Sequence, residues 1–246
     1  MKSILFALAA ALFPFAAHAG ERVAYSVDGE TFEGYRARPA GPAKGLVVVI
    51  HAWGGLTPYE EKRADMIAAL GYEAFAIDLY GKGNRPTDTD SRRKEAETLY
   101  HDRPRMLKLL LAGLAEARQG GDEPAVVAGY CFGGAAALAL ARSGEAKDIK
   151  GYVAFHGTLK TPAGESYPSD TPPLLILHGG ADSSVTMEDV AALSRELEAA
   201  KVPYEIQVYA GAPHGFTVWD TERYRKDADE KSWAAFTRFL GTQFRG

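Results

Sequence analysis

The chain is 246 residues long, 46% of them hydrophobic and 24% charged, with a formal net charge of −4. That is ample apolar material for one core, and mild acidity without a basic stripe argues against a nucleic-acid partner. One cysteine excludes an intramolecular disulfide, and six histidines scattered singly offer no metal-ligand spacing, so no metal is expected.

Residues 1–19 read as a cleavable export signal. Lys2 supplies the positive end, Ile4 to Ala17 an apolar stretch too short for a comfortable membrane span, and Ala17-His18-Ala19 a small-x-small cleavage site. Cleavage after Ala19 would leave residues 20–246 as one domain, periplasmic or secreted, with no later run of span length and no membrane association. No linker, low-complexity tract or internal repeat divides it. An exported protein tends to use cysteines in pairs, so an unpaired Cys131 has to be buried or used.

Val23–Val27 and Thr31–Arg38 flank Asp28-Gly29, a two-residue hairpin signal. Leu46–Ile50 is a continuous β-branched run fit for a strand buried on both faces. The loop His51-Ala52-Trp53-Gly54-Gly55 follows. Thr57, Pro58 and Glu60 then predict a capped helix running to Leu70, with Gly71 as its terminator. Further strands are expected at Glu73–Ile77, Ala125–Ala128, Tyr152–Phe155, Leu174–Leu177 and Glu205–Tyr209. Between them lie helical segments near Ser91–Tyr100, Pro104–Arg118, Phe132–Arg142 and Met187–Ala200, with a last helix from Arg223 to Phe239. Buried strands alternating with helices predict an α/β fold: an eight-stranded, mostly parallel sheet with helices on both faces and the first two strands as its antiparallel edge.

The chemistry centres on Gly129-Tyr130-Cys131-Phe132-Gly133-Gly134. A short apolar strand strikes a Gly-x-Cys-x-Gly turn and a helix begins at once, the pattern of the nucleophile elbow with cysteine in place of serine. Such a turn presents Cys131 at the carboxyl end of the sheet over a helix amino-terminus, where free N–H groups and the helix dipole favour a thiolate or an oxyanion. A thiol nucleophile needs a base, and the base an orienter. Asp182 and His214 follow the next-to-last and last predicted strands, in the order nucleophile, acid, histidine that this arrangement demands. Cys131, Asp182 and His214 are therefore the expected catalytic triad. The amides of Phe132 and Trp53 are the expected oxyanion donors. His51 and His178 are read as loop-fixing residues, His156 as a residue lining the cleft, His101 as solvated, and Asp78 as an acid bracing its own loop.

These segments, with Asp78-Leu79-Tyr80-Gly81 and Pro213-His214-Gly215-Phe216, resemble the dienelactone hydrolase family of α/β-hydrolases over essentially all of residues 20–246. The resemblance implies a Cys-Asp-His hydrolase of small ester or lactone substrates, working as a monomer without cofactor or metal. Two departures bear on substrate. Family members that act on dienelactone place a glutamate in the loop after the third strand, where this chain has Ala52. They also place an arginine four residues after the catalytic histidine, where it has Val218. Arg85 is a candidate replacement cation, while Trp53, Val218 and Trp219 offer apolar substrate-facing surface, which favours neutral substrates over carboxylates. The other reading is a non-catalytic protein on the same scaffold, binding a small molecule or sensing oxidants through Cys131.

Overall fold

The computed structural model describes residues 20–245; the expected export signal lies outside them. The chain begins with a hairpin, β1 (Glu21–Val27) and β2 (Glu30–Ala37), turned by Asp28 at φ 50° and Gly29 at φ 82°. Two consecutive left-handed residues match the twist of the flanking strands. There follow β3 (Leu46–Ile50), α1 (Pro58–Ala69), β4 (Glu73–Ile77), α2 (Thr89–His101), α3 (Arg103–Arg118), β5 (Ala125–Tyr130) and α4 (Phe132–Ser143). The remainder is β6 (Ile149–Phe155), β7 (Leu174–Gly179), α5 (Met187–Ala200), β8 (Tyr204–Tyr209) and α6 (Lys226–Gln243).

All strands join one sheet in the order β1-β2-β4-β3-β5-β6-β7-β8. β1–β2 and β2–β4 pair antiparallel, and every other pair is parallel. The chain leaves β3 for β4 on one side and returns to β5 on the other. Loops after these strands therefore part at β3, the kind of crevice where open α/β sheets place their sites.

Burial follows the strand period. Val47 and Val49 face one core layer with Ile67 of α1 and Phe236 and Leu240 of α6. Leu46, Val48 and Ile50 face the other, with Leu109 and Leu110 of α3, Leu138 of α4 and Leu193 and Leu197 of α5. The helix at the centre, α4, is buried at every residue from Phe132 to Arg142. A helix apolar all round has to be enclosed, and this one sits directly behind the cysteine turn.

Several boundaries differ from the sequence reading, and three of the differences have a clear physical reason. β6 starts at Ile149 rather than Tyr152, running through Gly151, where a methyl would collide with the Phe239 ring, so the packing itself demands glycine. β5 runs to Tyr130, because its pairing with β6 continues to Tyr130↔Phe155. α6 starts at Lys226 rather than Arg223, since the preceding residues close turns, Tyr224 N–H to the Thr221 carbonyl and Arg225 N–H to the Phe216 carbonyl.

Candidate active site

Cys131 joins β5 to α4 at φ 53°, ψ −113°. That conformation is strained for any residue with a Cβ and persists only where the surroundings enforce it. Here they do. The Cys131 amide donates to the Phe155 carbonyl (3.0 Å), and its own carbonyl accepts from Gly134 (3.0 Å) and Ala135 (3.2 Å). The flanking glycines are obligatory by contact: a methyl on Gly129 would strike the Gly133 carbonyl, and one on Gly133 would strike the Ile50 carbonyl at the end of β3. The elbow is thus jammed against the loop that carries Trp53.

His214 comes from the loop after β8 and Asp182 from the turn after β7. His214 Nδ1 lies 2.7 Å from Asp182 Oδ2, and Nε2 lies 3.1 Å from Cys131 Sγ. Asp182 Oδ1 accepts from the Ser184 (2.8 Å) and Val185 (3.0 Å) amides. Its carboxyl is fully buried, whereas the His214 ring keeps 18% exposure and Cys131 is half-buried, so the reactive edge opens outward. Burial raises the Asp182 pKa, but the His214 hydrogen bond and the two amides outweigh it and hold the carboxyl below its ordinary value. For His214, burial works against the imidazolium, yet the bonds to Asp182 and Cys131 prevail and lift its pKa to about 10. At neutral pH His214 therefore favours its protonated form, with Nε2 directed at the sulfur.

The two amides expected as oxyanion donors come from the start of α4 and from the loop after β3. Phe132 is the first residue of α4, where the amide has no intrahelical acceptor. The Trp53 amide donates to no acceptor among the described residues. The Trp53 loop is held from below by Glu60, which is 1% exposed and accepts from the Ala52 amide (3.1 Å), the Thr57 amide (2.9 Å) and the Thr57 hydroxyl (2.6 Å). Burial drives the Glu60 pKa up against these bonds. The sequence marked Glu60 as a helix cap only. Its reach to Ala52 puts a carboxyl under the loop that otherwise lacks one.

His51 and Asp78 fix their loops as expected. His51 Nδ1–H donates to the Ala52 carbonyl (2.7 Å) and Nε2 accepts from the Leu79 amide (3.1 Å), and burial pushes its pKa down to about 4, so the ring stays neutral. Asp78 accepts from the amides of Glu33, Tyr80 and Gly81. His101 is exposed. The other two histidines behave differently. Neither ring nitrogen of buried His178 has a hydrogen-bond partner, so it fixes no loop by that means. His156 is 1% exposed and bonded to Thr217 rather than lining an open cleft.

The tentative substrate residues divide. Trp53 is half-buried against the core. Arg85 turns Nη1 into its own loop, onto Asp78 (3.3 Å) and the carbonyls of Gly81 (3.2 Å) and Asn84 (2.8 Å). Trp219 lies on α1, its ring 5.1 Å from that of Tyr59 and 4.0 Å from the Arg63 guanidinium carbon. Val218 is half-buried at a turn closed onto the Gly215 carbonyl. A cation that escaped the sequence reading is Arg92 of α2. A methyl on Gly54 would lie 3.8 Å from its Nε, which donates to the Pro86 carbonyl (3.0 Å), so the guanidinium stands beside the loop after β3. No cluster of three or more His, Cys, Asp or Glu residues suited to a metal ion occurs among the described residues.

A mostly parallel eight-stranded sheet, with a Gly-x-Cys-x-Gly turn between strand and helix beneath loops carrying an acid and a histidine, is the α/β-hydrolase fold. Within that class the chain belongs to the dienelactone hydrolase family, whose model matches residues 32–244. It is 28% identical over 231 residues to a Yersinia pestis protein named "Putative carboxymethylenebutenolidase", covering 88% of this chain and 85% of that one. It is 25% identical over 219 residues to a Bradyrhizobium protein named "Probable 2-oxo-3-(5-oxofuran-2-ylidene)propanoate lactonase", covering 84% and 87%. Among solved structures, the dienelactone hydrolase-like promiscuous phosphotriesterase P91 from metagenomic libraries superposes with a TM-score of 0.80 at 27% identity, over 91% of this chain and 98% of that one.

Proposed function

We propose that the chain is a cysteine-dependent hydrolase of carboxylic esters or lactones. The observation that carries this is the linear contact Cys131 Sγ–His214 Nε2 at 3.1 Å and His214 Nδ1–Asp182 Oδ2 at 2.7 Å, set on a strained elbow. The Cys131 thiolate attacks the acyl carbon. The carbonyl oxygen becomes an oxyanion held by the Phe132 and Trp53 amides, each such donor contributing about 3 kcal/mol in the transition state. His214 passes its proton to the leaving alkoxide as the C–O bond breaks, which leaves a thioester on Cys131. His214 then takes a proton from water, the hydroxide adds to the thioester, and the carboxylic acid departs as the thiolate re-forms. In a lactone the leaving oxygen stays tethered to the acyl group, so one product results. Asp182 holds the ring tautomer and stabilises the imidazolium.

The charged, apolar and small-residue pattern over residues 1–19 supports export of this enzyme, and cleavage after Ala19 would leave β1, which begins at Glu21, intact. Intact-mass analysis of periplasmic protein should find Gly20 at the amino-terminus; retention of Met1 refutes export with cleavage. Hydrolysis is tested with aryl esters and simple lactones against Cys131→Ala, His214→Ala and Asp182→Asn. Each should fall by orders of magnitude, and double variants should lose little more than singles, because the three act as a unit. Full activity in Cys131→Ala ends the proposal.

A further inference from the structure

His214 meets a second histidine. Its ring and that of His156 have centroids 5.4 Å apart at 66°. His156 is set at φ 41° with its amide donating to the Leu177 carbonyl (2.8 Å), so its backbone aims the ring. His156 Nε2 lies 2.8 Å from Thr217 Oγ1, and Thr217 is fully buried on the same loop as His214. Thr217 Oγ1 lies 2.6 Å from the Tyr59 hydroxyl of α1, which in turn accepts from Arg63 Nε at 3.3 Å. Arg63 Nη2 donates to the Thr217 carbonyl (2.9 Å) and pairs with Asp229.

The direction of this chain follows from donor counting. A guanidinium only donates, so Tyr59 accepts from Arg63 and its single hydroxyl proton is free for Thr217. Thr217 accepts that proton's hydrogen bond and directs its own to His156 Nε2. The reverse direction would leave the Tyr59 proton without an acceptor, whereas His156 Nδ1 has no partner in either direction. His156 is therefore neutral, with its proton on Nδ1.

We propose that the donor chain Arg63–Tyr59–Thr217–His156 positions His214 for the hydrolysis proposed above, with Thr217 as the member on which it turns. This rests on that reading of the site. The His214 loop is clamped on both sides of the histidine: the Ala212 carbonyl accepts from the Ala181 amide (2.9 Å), next to Asp182, and Thr217 is tied to α1. The titratable groups around the ring are Cys131, Asp182, His156 and His178. Burial first, and then the His214 charge, push the His156 pKa well down, so no second cation competes beside the imidazolium. Arg63, 1% exposed and with Trp219 over it, is a fixed end for the chain.

The test compares wild type, Thr217→Val, Thr217→Ser and Tyr59→Phe by two readouts: kcat and KM for a neutral aryl ester, and the rate of Cys131 alkylation by iodoacetamide as a function of pH. Alkylation needs no substrate, so it reports on His214 even if the ester reading fails. Thr217→Val should lower kcat by about tenfold to a hundredfold with KM little changed, the scale of loss from a misplaced catalytic group. Its alkylation should slow at neutral pH and recover only as an ordinary thiol ionises, near pH ~8.5. Thr217→Ser should restore both, and Tyr59→Phe should move both in the same direction as valine. Wild-type kcat and a wild-type alkylation profile in Thr217→Val overturn the proposal, even with a lowered Tm. Should Thr217→Val not fold, an unchanged profile in Tyr59→Phe overturns it instead.

Discussion

The Glu60 carboxyl accepts a hydrogen bond from the Ala52 amide at 3.1 Å while capping its own helix through Thr57, so one buried side chain joins the start of α1 to the loop that carries Trp53. The loop whose Trp53 amide is the proposed oxyanion donor is thereby braced by a helix, which is stiffer than the loop itself. Glu60→Ala should leave the Cys131–His214 contact in place but free the loop, lowering kcat by about tenfold to a hundredfold, the size of effect seen when an oxyanion donor is misplaced. Glu60→Gln, which keeps an acceptor oxygen, should retain more activity than the alanine variant. Equal losses in the two would show that Ala52 does not depend on the carbonyl-type acceptor.

The charged pair gives stability a definite pH dependence. Asp182 is held below its ordinary pKa in the folded chain, so its contribution is present above the unfolded value of about 3.9 and is lost as pH falls through the lowered folded value. His214 is raised to about 10, so its contribution is fully present below the unfolded value, near pH ~6.5, and is lost as pH climbs toward 10. Urea midpoints for wild type and an Asp182→Asn, His214→Gln double variant should therefore differ most around pH ~5 to 6, where both contributions are present. The gap should shrink toward alkaline pH; a gap that widens there contradicts this electrostatic account.

Glycine is required at the elbow by contact rather than by backbone angle, since the left-handed residue there is Cys131 itself. A methyl on Gly133 would meet the Ile50 and His51 carbonyls, which belong to β3 and its loop and cannot rotate aside. Gly133→Ala should cost about 3 kcal/mol or more by urea unfolding, at the upper end for overpacking. Gly41→Ala, with open space around it, should stay within about 0.5 kcal/mol.

Most of this framework was legible in the sequence because its signals are local. The hairpin at Asp28-Gly29, the cap at Thr57 and the Gly-x-Cys-x-Gly turn each depend on neighbours a few residues away, and Asp182 and His214 could be placed by counting strand ends. The supports of the site were not legible in that way. Thr217 and Tyr59 are 158 positions apart and meet only through the packing of α1 against the last loop. Trp219 reads as substrate-facing aromatic surface, and the structure lays it over Arg63. Arg85, the cation the sequence offered to substrate, is engaged by Asp78, and the guanidinium beside Gly54 is that of Arg92, one turn into a polar helix with no motif of its own.

That exchange of cations bears on substrate preference. Val218 supplies no charge, and an anionic substrate buried without a partner loses several kcal/mol of solvation, an effect on the order of a thousandfold in binding. Neutral esters or lactones should have the higher kcat/KM when each is compared with its carboxylate-bearing analogue. Preference for the carboxylate by about tenfold or more, abolished in Arg92→Met, would show that Arg92 fills the role left by Val218.

The account depends most directly on Cys131 as the atom that carries the acyl group. Mixing the protein with an excess of an activated aryl ester, quenching in acid during the first turnovers and mapping the adduct by peptide mass spectrometry measures this in one step. The mechanism predicts one acyl group per chain on the peptide containing Cys131, discharged by hydroxylamine, with none in Cys131→Ala and an accumulated, slowly released adduct in His214→Gln if any forms. Turnover at wild-type rate in Cys131→Ala, or an acyl group found on another residue with Cys131 unmodified, would contradict it.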